Sequence, residues 1–81
     1  MMQSRFRFLK MLDPVWYNGI SGADVDEIYQ VDDVDVDEEH GYVTLSRTGD
    51  SWQVCMMDRQ WTYGSLIVAL RFLKKYGYVL V

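Results

Sequence analysis

Asp33, Asp35 and Asp37 alternate with Val34 and Val36, and in an extended chain alternate residues project from one face about 6.6 Å apart. Two chemistries use a row of carboxylates like this. One is mimicry: the row presents charge at a spacing close to that of phosphates along a nucleic-acid backbone, and so occupies a Lys- and Arg-rich surface built to grip phosphate. The other is a calcium loop, which Asp33-x-Asp35-x-Asp37 begins but does not complete. Glu38 stands where the sixth position needs glycine, and Thr44 where the twelfth needs a bidentate Glu. That leaves a weak surface ion at most, and no metal centre is expected. Asp24, Asp26, Glu38 and Glu39 extend the acidic patch. The competing reading is a solvated strand face, charged to discourage edge-to-edge pairing. Against it stands the mutual repulsion of like charges this dense.

The remaining reactive side chains read more blandly. His40 and Cys55 are the only histidine and cysteine. Catalysis by such a pair needs adjacency, an orienting group and an oxyanion site, and the sequence supplies no sign of them. His40 reads as a solvated turn residue, and Cys55, between Val54 and Met56, as an ordinary strand thiol. Trp16, Tyr17, Trp52, Trp61 and Tyr63 could build an exposed aromatic platform for a base or a proline-rich peptide, although large aromatics in so short a chain are more often its core. Trp52 shares a face with Val54 and Met56 and reads as core, whereas Trp16 and Tyr17 fall in a loop-like stretch and stay open as contacts. Arg71, Lys74 and Lys75 fit the end of a helix, where the dipole favours cations; a nucleic-acid patch there is opposed by the overall negative charge. The six glycines are scattered at turns, with no phosphate-loop, dinucleotide or hydrolase signature. No enzyme and no cofactor are expected.

Charge is distributed unevenly along the chain. The formal net charge is -4, yet no Lys or Arg occurs from Met11 to Ser46, and nine carboxylates fall in the sixteen residues from Asp24 to Glu39. An acidic run poor in apolar residues would read as a disordered tail, but Ile28, Tyr29, Val31, Val34 and Val36 are threaded through this one. At 81 residues with 49% hydrophobic and 15% aromatic content, the chain has material for one core and reads as a single domain, 1–81. With one cysteine and no zinc-type spacing, either that core suffices or the protein oligomerises. Residues 8–16 carry Lys10, Asp13 and Pro14 where a signal peptide needs an unbroken apolar stretch. The longest apolar run, residues 66–70, is far short of the ~20 that cross a bilayer. A reducing cytoplasm without membrane contact is the expected setting.

The elements that must position these groups follow from periodicity. Residues 5–11 alternate Phe6 and Phe8 with Arg5 and Arg7, a half-buried strand. Asp13-Pro14 breaks pairing, and residues 16–24 read as a long irregular loop. Residues 27–37 form a second strand whose inward phase changes partway, so a bulge or bend is expected near Asp32-Asp33. Turns at His40-Gly41 and at Thr48-Gly49-Asp50 lead into strands 42–46 and 51–57, giving an antiparallel meander of three strands. In residues 65–76, Leu66, Ala69, Leu70 and Leu73 recur at helical spacing, with Ser65 placed to cap the start and Gly77 to end it. Residues 78–81 read as a short final strand returning to the sheet. The fold class expected is α+β: a small antiparallel β-meander with one C-terminal helix and a short final strand.

The stretch from residue 6 to residue 56 resembles a family of small SH3-like β-barrel proteins of tailed phages. The resemblance lies in the basic first strand, Trp16 and Gly22 in a long connection, Glu27-Ile28-Tyr29-Gln30-Val31, Gly41-Tyr42-Val43, and Gly49-Asp50-Ser51-Trp52-Gln53-Val54. It covers roughly two thirds of the chain. A full helix at residues 65–76 departs from the single short turn usual in such barrels, so a partly open barrel and an open sheet covered by a helix fit nearly equally. The resemblance implies a phage accessory protein that binds host machinery or a bacterial defence complex in the cytoplasm of an infected cell. Joined to the acidic strand, it gives the leading functional expectation: a non-catalytic inhibitor that blocks a basic, nucleic-acid-binding surface on a host or defence protein such as a CRISPR component or nuclease. Its expected contacts are Asp24, Asp26, Asp33, Asp35, Asp37, Glu38, Glu39, Trp16 and Tyr17, with no direct nucleic-acid binding. The alternative is a structural or assembly module that oligomerises, for instance as a homodimer, through a sheet edge and the C-terminal strand. A third reading is an SH3-like peptide binder using Trp16 and Tyr17.

Overall fold

The computed structural model of the chain describes residues 6–31, 40–57 and 59–81. Eight elements follow one another: β1 (Arg7–Leu12), α1 (Pro14–Ser21), β2 (Glu27–Gln30), β3 (Val43–Thr48), β4 (Ser51–Met56), β5 (Arg59–Tyr63), α2 (Leu66–Lys74) and β6 (Tyr78–Leu80). The strands form one six-stranded half-barrel in the order β5-β4-β3-β2-β1-β6. Every pairing is antiparallel except that of β6 with β1, which is parallel. The architecture is therefore a small mixed sheet with two helices, one on each face.

Alternation decides which side chains meet. Tyr29 lies opposite Met11 and Leu45, Leu45 opposite Val54, and Val54 opposite Trp61, so one face carries an apolar row across five strands. α2 lies over that face and buries Ala69 and Leu73 against Leu9, Val43, Leu45, Trp52, Val54, Met56 and Tyr78. The apolar positions of α2 recur three and four residues apart, which is why a single stripe serves. The helix starts at Ser65, whose side chain makes no capping bond. It closes through Gly77, which adopts φ +88° and donates its N–H to the Lys74 carbonyl at 3.0 Å. On the opposite face Ile28 pairs with Ser46, and both are buried where α1 packs against β2.

Three expectations change. Residues 16–24 are not an irregular loop throughout: α1 occupies Pro14–Ser21. The Asp13 carboxylate accepts from the Val15 N–H at 3.0 Å, Pro14 fills the first turn, and Gly22 closes the helix at φ +74° by donating to the Asn18 carbonyl. The pair read as a strand breaker is thus a helix cap followed by a proline at its favoured position. The meander gains a fourth strand, β5. The second strand is regular over Glu27–Gln30, and the bend expected near Asp32-Asp33 lies outside the described residues. In β1 the buried residue is Leu9, while Phe6 and Phe8 are half exposed. Leu9 shares its face with Leu80 and so lies beneath α2; Phe8 pairs with Val79 on the other face.

Leu73 is fully buried and Ile67, on the outer side of α2, is 68% exposed. Leu73→Ala is expected to lower unfolding free energy by about 2–5 kcal/mol, and Ile67→Ala by less than about 0.5 kcal/mol, as read from urea denaturation midpoints.

Candidate functional site

The start of the acidic stretch is built into a turn. Asp26 precedes β2 and reaches the β3–β4 turn, where its Oδ2 accepts from the Gly49 N–H at 2.9 Å and from Arg47 Nη1 at 3.4 Å. Arg47 Nε donates to Glu27 Oε1 at 3.3 Å, and the Tyr29 hydroxyl donates to Glu27 Oε2 at 3.0 Å. Arg47 also donates to the Gly49 carbonyl at 2.9 Å. One guanidinium therefore holds two carboxylates and a tight turn in fixed relation. Asp26 remains partly exposed, but its charge is matched. Asp24 is exposed, and its carbonyl accepts from the Thr48 hydroxyl at 3.3 Å.

Next to this turn lies α1. Asn18 clasps Val25 with its whole amide, donating to the carbonyl and accepting from the N–H, each at 3.0 Å. That bond pair fixes the inner side of α1, and Tyr17 is half-buried. Val15, Trp16 and Ile20 are left facing outward, with Trp16 54% exposed. Asp24, Asp26 and Trp16 thus belong to one end of the molecule, that of the β3–β4 turn. Asp33, Asp35, Asp37, Glu38 and Glu39 lie outside the described residues. Their segment departs from Val31, at the opposite end of β2 from Asp26, about 16 Å away along the strand.

At that far end, His40 packs edge-on against Tyr76 and Tyr78, with ring centroids 5.4 and 5.8 Å away, and its Nδ1 lies 3.2 Å from the Tyr78 hydroxyl. Cys55 sits half-buried on the sheet face opposite Tyr78, beside Thr44 and Gln60, so the structure does not bring the thiol and the imidazole onto a common face. Among the described residues no group of three or more His, Cys, Asp or Glu is placed to hold a metal ion. No helix of the described residues is long and apolar enough to cross a membrane.

Trp61 and Tyr63, two of the rings considered for an aromatic platform, join a cluster on the flank of β5 and α2 whose centre the sequence did not announce. Phe72 is its hub, with ring centroids at 4.8 Å from Trp61, 5.7 Å from Tyr63 and 5.2 Å from Tyr76. A cleft opens on each side of it. One, of about 300 Å³, is lined by His40, Met56, Met57, Arg59, Trp61 and Tyr76; the other, of about 190 Å³, by Tyr63, Val68, Arg71, Phe72 and Lys75. Met57 enters the first cleft from a left-handed backbone, φ +55°, with its N–H bonded to the His40 carbonyl at 2.8 Å. The signal for this flank was present in Arg59-Gln60-Trp61-Thr62-Tyr63, whose strand alternation places Arg59, Trp61 and Tyr63 on one side.

Comparison with protein-family models, with curated proteins and with solved structures gave no significant match.

Burial, together with the hydrogen bond and charge of Glu27, raises the ionisation of Tyr29 above its ordinary value of 10.0, and Arg47 partly opposes this. The neutral phenol is therefore favoured by folding. Its stabilising contribution is complete below pH 10 and fades as pH climbs through the raised value. Glu27→Gln is expected to shift the Tyr29 phenolate transition downward, measured by ultraviolet difference titration against Tyr29→Phe. Met57→Gly, which relieves the left-handed strain, is expected to raise stability by up to about 1 kcal/mol in thermal unfolding.

Proposed function

We propose that this chain is a non-catalytic acidic interaction protein, encoded by a tailed phage, that occupies a basic nucleic-acid-binding surface on a host or defence protein in the cytoplasm of an infected bacterium. The observation that carries this reading is the segregation of charge: nine carboxylates within Asp24–Glu39, and no Lys or Arg from Met11 to Ser46. Arg47 matches Asp26 and Glu27, so this reading rests chiefly on the acids that follow Val31 in the sequence. Asp33, Asp35 and Asp37 supply the alternating charges, with Glu38 and Glu39 beside them. Long-range attraction of a basic partner by such a segment accelerates encounter and discriminates against acidic surfaces.

Trp16, with Val15 and Ile20 exposed on α1 and Asp24 nearby in sequence, adds an apolar contact with an acidic neighbour. An exposed tryptophan of this kind is a typical energetic anchor in protein interfaces. We read the half-barrel as a partly open SH3-like barrel, in keeping with the resemblance over residues 6–56. A second reading, assembly through a sheet edge, draws support from β6, a short edge strand followed by an exposed Val81.

Replacing Asp33, Asp35 and Asp37 together by Asn is the direct test. Partner capture from bacterial lysate at low salt should fall about tenfold or more, and wild-type capture should itself fade as ionic strength rises. Capture unchanged by both the substitution and salt would overturn the mimic reading. A homodimer in sedimentation that persists at high salt, without another partner, would support assembly instead.

A further inference from the structure

Half of the chain's eight Lys and Arg residues, namely Arg59, Arg71, Lys74 and Lys75, lie on β5 and at the end of α2. All four are exposed, and none pairs with a carboxylate of the described residues. Between them stands the aromatic cluster around Phe72. The helix dipole accounts for cations in the last turn of α2. It does not account for Arg59 on a strand, nor for the placement of rings between Arg59 and the Arg71–Lys75 pair. We propose that this flank is a groove for single-stranded nucleic acid, taking phosphates on Arg59, Arg71 and Lys75 and unpaired bases against Trp61, Tyr63 and Tyr76.

Charge, ring and charge in sequence across a surface match what a single strand presents, since its phosphates alternate with bases whose faces are free to stack. A duplex offers phosphates but keeps its base faces occupied, so it leaves the rings without a role. The two clefts, of about 300 and 190 Å³ on either side of Phe72, bring one aromatic wall and at least one cation each. This is two adjacent sites of one kind, as a polymer requires. Thioethers of Met56 and Met57 line the larger cleft, a soft surface that accommodates different bases without reading their edges. The formal charge of -4 opposes a polyanion, but charges in solvent are screened beyond about 8 Å at physiological salt. Asp26 and Glu27, at the same end of the sheet as Tyr63, are already matched by Arg47. The acidic run ends at Glu39, next in sequence to His40 of the larger cleft; the test is read from binding of the oligonucleotide itself and does not depend on whether the acidic run has a partner.

The experiment is fluorescence anisotropy of a labelled pyrimidine oligonucleotide titrated with the intact protein at low and high salt, with intrinsic tryptophan fluorescence followed in parallel. Binding at low salt is expected, weakening as salt rises by about 0.7 in logarithmic slope for each phosphate contacted, and accompanied by tryptophan quenching. Arg71→Gln combined with Lys75→Gln, both exposed and checked for retained fold by circular dichroism, should weaken binding about tenfold or more. Arg59→Glu should weaken it independently, and Asp24→Asn should leave it within about twofold. Absence of binding at low salt, equal affinity of the doubly substituted protein, equal affinity for the matching duplex, or full competition by a mononucleotide at equal concentration would each overturn the proposal.

Discussion

Everything in this molecule rests on one stripe of α2 closing one face of the sheet. Ala69 and Leu73 are fully buried, and Leu66, Leu70 and Phe72 pack around them on a floor to which all six strands contribute. A domain this small has no second core to fall back on, and the single cysteine supplies no cross-link. The large side chains meeting there include Trp52 and Tyr78, so a few aromatic residues supply area that a larger protein would draw from many aliphatic ones. The opposite face is closed more lightly. α1 has no fully buried residue of its own and protects chiefly Ile28 and Ser46.

That asymmetry organises the surface. α2 enters the core with its stripe and leaves its cations outside, next to the rings of β5. β2, in contrast, has acid in the sequence on both sides of it, and Arg47 of the neighbouring strand is drawn into holding the β3–β4 turn.

Where the sequence spoke through hydrophobic period, it spoke plainly. The alternation of Trp52, Val54 and Met56 and the helical recurrence of Leu66, Ala69, Leu70 and Leu73 correspond to β4 and α2. Legibility failed where one residue pair has two meanings. Asp13-Pro14 ends a strand and also starts a helix, and a helix with no buried residue leaves little apolar period to tip the choice. β5 went unread because its outward positions, Gln60 and Thr62, are polar and its inward ones, Trp61 and Tyr63, are only half-buried at the sheet edge. Of the two loop aromatics that the sequence left open, Trp16 is exposed and Tyr17 half-buried. The neutralisation of Asp26 by Arg47 was invisible, because it depends on a pairing of β2 with β3 that sets residues 26 and 47 side by side. The groove beside Phe72 arises only when α2 is laid against β5, a contact no local pattern encodes.

The parallel pairing of β6 with β1 carries a kinetic meaning. Arg7 and Tyr78 are neighbours in space at opposite ends of the sequence, and they cannot meet until α2 has crossed from the β5 edge of the sheet to the other side. Such closure pairs the segments most distant in sequence, whereas β3, β4 and β5 are joined by short connections and pair at lower entropic cost. Without β6, β1 would present an unpaired edge beside the exposed Phe6 and Phe8, open to another molecule's strand in place of β6. The three residues of β6 thus act as a latch, whose speed of fastening governs how long the chain stays open to misassembly.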